Sequence, residues 1–121
     1  AAGSIPESED GHIYSTCWIF DREGKQIGKY RKMHMFDIDV EGGQYYNESS
    51  VITAGNEICV AETEFGPIGI AICYDVRFPE QFRLMQQRGV KAVVLPASFN
   101  RTTGPAHWEL LMRARALDQE I

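Results

Sequence analysis

With 121 residues, 44% of them apolar and 24% charged, the chain has the size and balance of one soluble globular domain. A formal net charge of -5, with the basic residues scattered rather than gathered in a block, argues against a nucleic-acid or anionic-membrane partner, and no apolar run reaches the length of a membrane span. Three cysteines without a CxxC pair (Cys17, Cys59, Cys73) argue against a disulfide framework, and the separated His12, His34 and His107 offer no zinc-ligand spacing, so no metal or other cofactor is expected.

The first residues, Gly3-Ser4-Ile5-Pro6, read as the end of a strand already under way. Residues 12–20 are rich in β-branched and aromatic side chains, Asp21-Arg22-Glu23-Gly24-Lys25 gives a turn, and residues 26–31 return, which predicts a hairpin. The second strand runs into Lys29-Tyr30-Arg31-Lys32-Met33-His34-Met35-Phe36, where cationic and apolar residues interleave too irregularly for an amphipathic element. Residues 37–56 are then rich in Gly, Asp, Glu, Asn, Ser and Tyr; so long a connection reads as an ordered functional loop, bent at Gly42-Gly43.

Residues 58–63 and 68–72 predict two strands around the Glu64-Phe65-Gly66-Pro67 turn, the second apolar on both faces as a covered central strand would be. That strand stops at Cys73, and Pro79-Glu80 marks the next helix start, because proline suits the first helical position and an acidic side chain opposes the helix dipole there. Phe78, Phe82 and Met85 lie at helical spacing up to Arg88, with Gly89 placed for a left-handed cap. Residues 90–95 predict a further fully buried strand; Pro96 opens a polar loop through Asn100 to Gly104, and Pro105 is the expected start of a helix bearing Trp108, Leu111 and Met112. The strand, helix, strand, helix order predicts an α/β class with parallel strands, whose ligands gather at the strands' carboxyl ends. Cys73 and the Asn100 loop share that edge.

A thiol between strand and helix start meets backbone N–H groups and positive dipole ends, which favour the nucleophilic thiolate. The competing reading is a buried cysteine acting as a small apolar filler. The wider pattern bears on the choice. Tyr30-Arg31-Lys32-Met33-His34-Met35-Phe36-Asp37, then Asn47-Glu48-Ser49, then Gly69-Ile70-Ala71-Ile72-Cys73-Tyr74-Asp75-Val76-Arg77-Phe78-Pro79-Glu80, then Phe99-Asn100-Arg101-Thr102-Thr103-Gly104-Pro105-Ala106-His107-Trp108-Glu109 resemble, in order, signatures of the nitrilase superfamily of carbon-nitrogen hydrolases. The last segment is most similar to the omega-amidase branch, which acts on the terminal amide of 2-oxo acids.

The resemblance implies part of a four-layer α-β-β-α sandwich that forms a homodimer or higher homo-oligomer, and a Glu-Lys-Cys site hydrolysing a small-molecule amide. Cys73 matches the nucleophile and Lys32 the lysine; Glu48 matches a second glutamate beside that lysine, against the alternative of a loop-surface carboxylate. Lys32 ammonium and the Tyr74 backbone N–H would stabilise the oxyanion formed by thiolate attack. Arg77 matches an arginine that grips a substrate carboxylate in N-carbamoyl amino acid hydrolases; its alternative is an ion pair with Asp75, Glu80 or Glu109. Asn100 and Thr103 either contact substrate or build the turn and cap the following helix. His34 and His107 are expected to pack and hydrogen-bond.

The family's general-base glutamate belongs to a segment upstream of the hairpin, and Glu7 matches a different, non-catalytic part of the pattern. Residues 1–121 are therefore expected to be one hydrolase domain incomplete at both ends, inactive alone, and cytoplasmic. Other amide specificities within the superfamily (deaminated glutathione, N-carbamoyl amino acids) and a non-enzymatic interaction module are the alternatives. A papain-like Cys-His hydrolase fits least, because no histidine is placed to activate Cys73 and Lys32 would go unexplained.

Overall fold

The computed structural model describes residues 1–121 and contains eight strands and two α-helices. Strands β1 (Ala2–Glu9), β2 (His12–Phe20) and β3 (Gln26–Arg31) form an antiparallel sheet in the order β1-β2-β3. The β2-β3 hairpin has the predicted limits because Asp21 closes its turn, its Oδ1 accepting the N–H groups of Glu23 and Lys25. On β1, Glu7 reaches over β2: its carboxylate accepts from Thr16 Oγ1 at 2.7 Å and Arg31 Nε at 3.0 Å, and it pairs with Lys29. The Arg31 guanidinium above all holds the Glu7 carboxyl well below the usual range, at about 2. Glu7 is thus a tie between strands.

The stretch from residue 37 onward is ordered. Strands β4 (Asp37–Asp39) and β5 (Tyr45–Asn47) make a small antiparallel ribbon with Gly42 and Gly43 in its turn, followed by a 3-10 turn, Glu48–Ser50.

Strands β6 (Cys59–Thr63), β7 (Gly66–Ile70) and β8 (Ala92–Val94) form the second larger sheet, with β7 central, antiparallel to β6 and parallel to β8 through helix α1 (Pro79–Gln87). The parallel pair agrees with the expected α/β class. The β8 strand departs from expectation: it is three residues long and part-exposed, because only β7 pairs with it and its other edge has no neighbour. Helix α1 starts at Pro79 and buries Gln81, Phe82 and Met85; Gly89, at a φ of 82°, ends it. Helix α2 (Thr103–Gln119) begins two residues before Pro105, because Asn100 Oδ1 accepts the Thr103 N–H at 2.6 Å and supplies the cap.

Two apolar layers hold these parts. Cys17, Ile19, Tyr30, Ala61, Ile70 and Ile72 fill the space between the two larger sheets. Ala71, Val76 and Phe82, with Val93, Leu95, Phe99, Leu111 and Met112, join the second sheet to the helices. This sheet, sheet, helix succession is three layers of the expected four. Gly69 sits where α1 meets β7: a Cβ there would lie 2.7 Å from Met85 Sδ and 3.2 Å from both Val90 Cγ1 and Val93 Cγ2. Gly69→Ala is therefore expected to destabilise the complete polypeptide by about 1–3 kcal/mol through overpacking, read as a lower urea midpoint at unchanged slope.

Candidate active site

The site begins where β7 leaves its ladder. The parallel hydrogen bonding continues past the formal strand ends, with Ala71 N–H on Val94 O at 3.1 Å and Cys73 N–H on Pro96 O at 2.9 Å. Cys73 then turns into the left-handed region, at a φ of 47°, and opens a 3-10 turn, Cys73–Arg77. Such a conformation is costly for a residue with a side chain, and it throws the side chain off the end of the sheet. The helix starts at Pro79 as expected, and the turn fills the residues between it and Cys73. The intervening turn exists because the Asp75 carboxylate folds back onto Ile72 N–H at 2.8 Å. Cys73 is half-buried, its Sγ 3.9 Å from Ser98 O. The next N–H, that of Tyr74, lies in the first turn of that 3-10 segment, where backbone donors lack an intrahelical partner.

Lys32 follows β3 and is held from both sides: its N–H donates to Ser15 O at 2.9 Å and its carbonyl accepts from Gly55 N–H at 2.8 Å. It is only 3% exposed, so Lys32 is not a solvated surface side chain. A lysine is buried only when paired, and Nζ meets Glu48 Oε2 at 2.5 Å. The same oxygen accepts Phe36 N–H at 2.7 Å, so Glu48 is fixed from two directions rather than loose on the loop surface.

One cavity of about 560 Å³ is lined by Cys73, Lys32 and Glu48 and also by Tyr74, Arg77, Asn100 and Thr103. All seven residues singled out from sequence converge on it. Arg77 makes none of the ion pairs with Asp75, Glu80 or Glu109. Its guanidinium lies 5.5 Å from the Tyr74 ring centre and 5.8 Å from that of Phe99, and Nη2 donates to His107 Nδ1 at 3.2 Å. A cation facing a cavity without a carboxylate partner is suited to an anionic ligand. Asn100 builds the turn: Oδ1 takes the N–H groups of Thr102 and Thr103 and the Thr103 hydroxyl, while Nδ2 donates to Gln44 Oε1 at 2.9 Å. His34 stacks on Phe78 at 3.6 Å and bonds Asp75, and His107 bonds Arg77, so both pack and hydrogen-bond as expected. No group of three His, Cys, Asp or Glu side chains is gathered so as to hold a metal ion.

The carbon-nitrogen hydrolase pattern matches this chain over residues 1–121. The chain belongs to the carbon-nitrogen hydrolase family. It is 46% identical over 119 residues to omega-amidase NIT2 of Homo sapiens, covering 98% of this chain and 43% of that protein. It is 47% identical over the same length to the Schizosaccharomyces pombe protein named Hydrolase C26A3.11, covering 37% of it. The chain thus spans less than half the length of these curated relatives. Among solved structures, Saccharomyces cerevisiae Nit3, a member of branch 10 of the nitrilase superfamily, superposes with a TM-score of 0.85 at 39% identity, covering 97% of this chain and 40% of that one. The α/β fold is therefore that of the nitrilase superfamily. An amidase from Nesterenkonia sp. shares the fold at 24% identity and a TM-score of 0.78.

In this carbon-nitrogen hydrolase chain the sequence reading missed several cavity-lining residues. Gln44, Phe36 and Tyr46 come from the β4-β5 region, Phe36 meeting Tyr46 at 5.7 Å and Tyr74 at 5.1 Å between ring centres. The ordered loop of residues 37–56 was the available signal, but nothing in its composition says which side chains turn inward. Asp75 was also missed except as a partner for Arg77. It is fully buried and accepts from Tyr30 Oη at 2.7 Å, His34 N–H at 3.1 Å and His34 Nδ1 at 2.7 Å. Burial, with the Asp75 charge beside it, pushes the Tyr30 hydroxyl far up, so Tyr30 stays a donor at any working pH.

Proposed function

We propose that this chain is the central part of a cytoplasmic, dimeric omega-amidase-like enzyme that hydrolyses the terminal amide of a small carboxylate substrate and releases ammonia. Cys73 attacks the amide carbonyl, its thiol proton passing to a base carboxylate contributed from the part of the relatives that lies outside these residues. Lys32 and the Tyr74 N–H hold the oxyanion, and Glu48 holds Lys32 in place. The C–N bond breaks as the amine takes a proton and leaves as ammonia; water then cleaves the thioester to a carboxylate. The observation that carries this reading is a cysteine on a left-handed elbow facing the same cavity as a buried lysine-glutamate pair. The relatives named omega-amidase support the same choice of substrate class. Three free cysteines accord with a reducing compartment.

Arg77 provides the specificity, as a fork for the substrate carboxylate at the far end from the amide. Ammonia release by the complete polypeptide should favour a dicarboxylic acid monoamide over an uncharged amide of equal length by about 10–100-fold in kcat/KM, the worth of one charged hydrogen-bonded pair. Arg77→Met should remove most of that preference while leaving the uncharged amide unaffected. Equal rates on both amides in the parent enzyme would refute the carboxylate assignment.

A further inference from the structure

Resting on the reading of Cys73 and Lys32 as reacting partners, we propose that Asp75 is the positioning residue that sets the lysine against the nucleophile. One buried carboxylate is shared by the two segments that carry them. Oδ2 accepts Ile72 N–H, the residue directly before Cys73, and Tyr30 Oη. Oδ1 accepts both the backbone N–H and Nδ1 of His34. Tyr30 and His34 stand two residues to either side of Lys32, so the carboxylate grips the Lys32 segment at both ends and the Cys73 elbow at its root.

The four donors use the full capacity of a carboxylate, two at each oxygen. Tyr30 Oη extends the grip by accepting Gln81 Nε2 at 2.9 Å and Met33 N–H at 3.3 Å. A fully buried carboxylate is an expensive way to fill space, and apolar packing would serve stability as well. What this group supplies is a fixed vector between two chain segments far apart in sequence. The four donors also spread its negative charge, which would otherwise oppose a thiolate two residues away.

The decisive experiment is a double-mutant cycle in the complete polypeptide, with Tyr30→Phe and Asp75→Asn each combined with Lys32→Met. Two quantities are measured per folded molecule: kcat and KM for ammonia release, and the rate at which iodoacetamide alkylates Cys73. Tyr30→Phe keeps the carboxylate charge and deletes one donor; it should lower kcat about tenfold with KM within about twofold, and slow alkylation about fivefold, as for a misplaced lysine. Asp75→Asn should lower kcat about 100-fold. In the Lys32→Met background Tyr30→Phe should cost nothing further, because that hydroxyl reaches the site only through the Lys32 segment, whereas Asp75→Asn should keep just the smaller loss that comes from the Cys73 elbow. A Tyr30→Phe protein with the parental kcat and alkylation rate, or losses that multiply in full with that of Lys32→Met, would overturn the proposal. Should Asp75→Asn not fold, Tyr30→Phe alone decides. Should the parent release no ammonia from any amide, the proposed function fails instead, and the alkylation cycle still judges Asp75.

Discussion

Replacing Cys73 with Ala in the complete polypeptide is expected to lower ammonia release by at least about 10⁴-fold while leaving folding intact, because a reaction routed through a thioester has no residual path without its sulfur. The substitution is structurally mild. Cys73 is bound through its backbone N–H to Pro96 O, and Sγ makes only a long contact with Ser98 O. Rapid acid quenching of the parent enzyme with substrate should trap an acyl adduct on the peptide containing Cys73, and the Ala variant should show none. Turnover in the Ala variant within about tenfold of the parent would remove Cys73 from the mechanism and the proposed function with it.

The second large effect separates stability from catalysis at the Lys32–Glu48 pair. Lys32→Met should reduce kcat by about 10²–10³-fold, the usual loss for one oxyanion donor, and destabilise the fold by about 3–5 kcal/mol, because Glu48 is left among protein atoms with only the Phe36 N–H. Adding Glu48→Gln removes the orphaned charge and should restore much of the stability. It should restore none of the activity. Urea unfolding and ammonia release on the two variants check both halves; activity returning together with stability would mean that Lys32 matters only as a structural ion.

The β2-β3 hairpin was legible because its apolar period and its Asp21 turn are both local. Cys73 was legible locally, as a thiol between a strand and a helix start, whereas Lys32 and Glu48 were legible only as members of an ordered pattern, since no periodicity links positions 32, 48 and 73. What escaped notice depends on contacts made at a distance. The 3-10 turn after Cys73 is created by the Asp75 carboxylate, and one acidic residue beside an arginine looks like an ion pair when only the sequence is read. The early start of α2 has the same origin, since Asn100 caps a helix that Pro105 alone would begin later. The shortness of β8 reflects its unpaired edge, a property of the assembly of strands and not of residues 90–95.

With Cys73 as the nucleophile proposed above, its left-handed φ of 47° would put folding and catalysis in opposition at a single codon. Glycine adopts that conformation freely, whereas a side-chain-bearing residue held there costs on the order of 1 kcal/mol or more. A library selected for thermal resistance alone would thus drift toward glycine at position 73 and yield sturdier, inert proteins. Only selection for turnover keeps the sulfur in place, so any laboratory evolution of this scaffold has to impose both pressures at once.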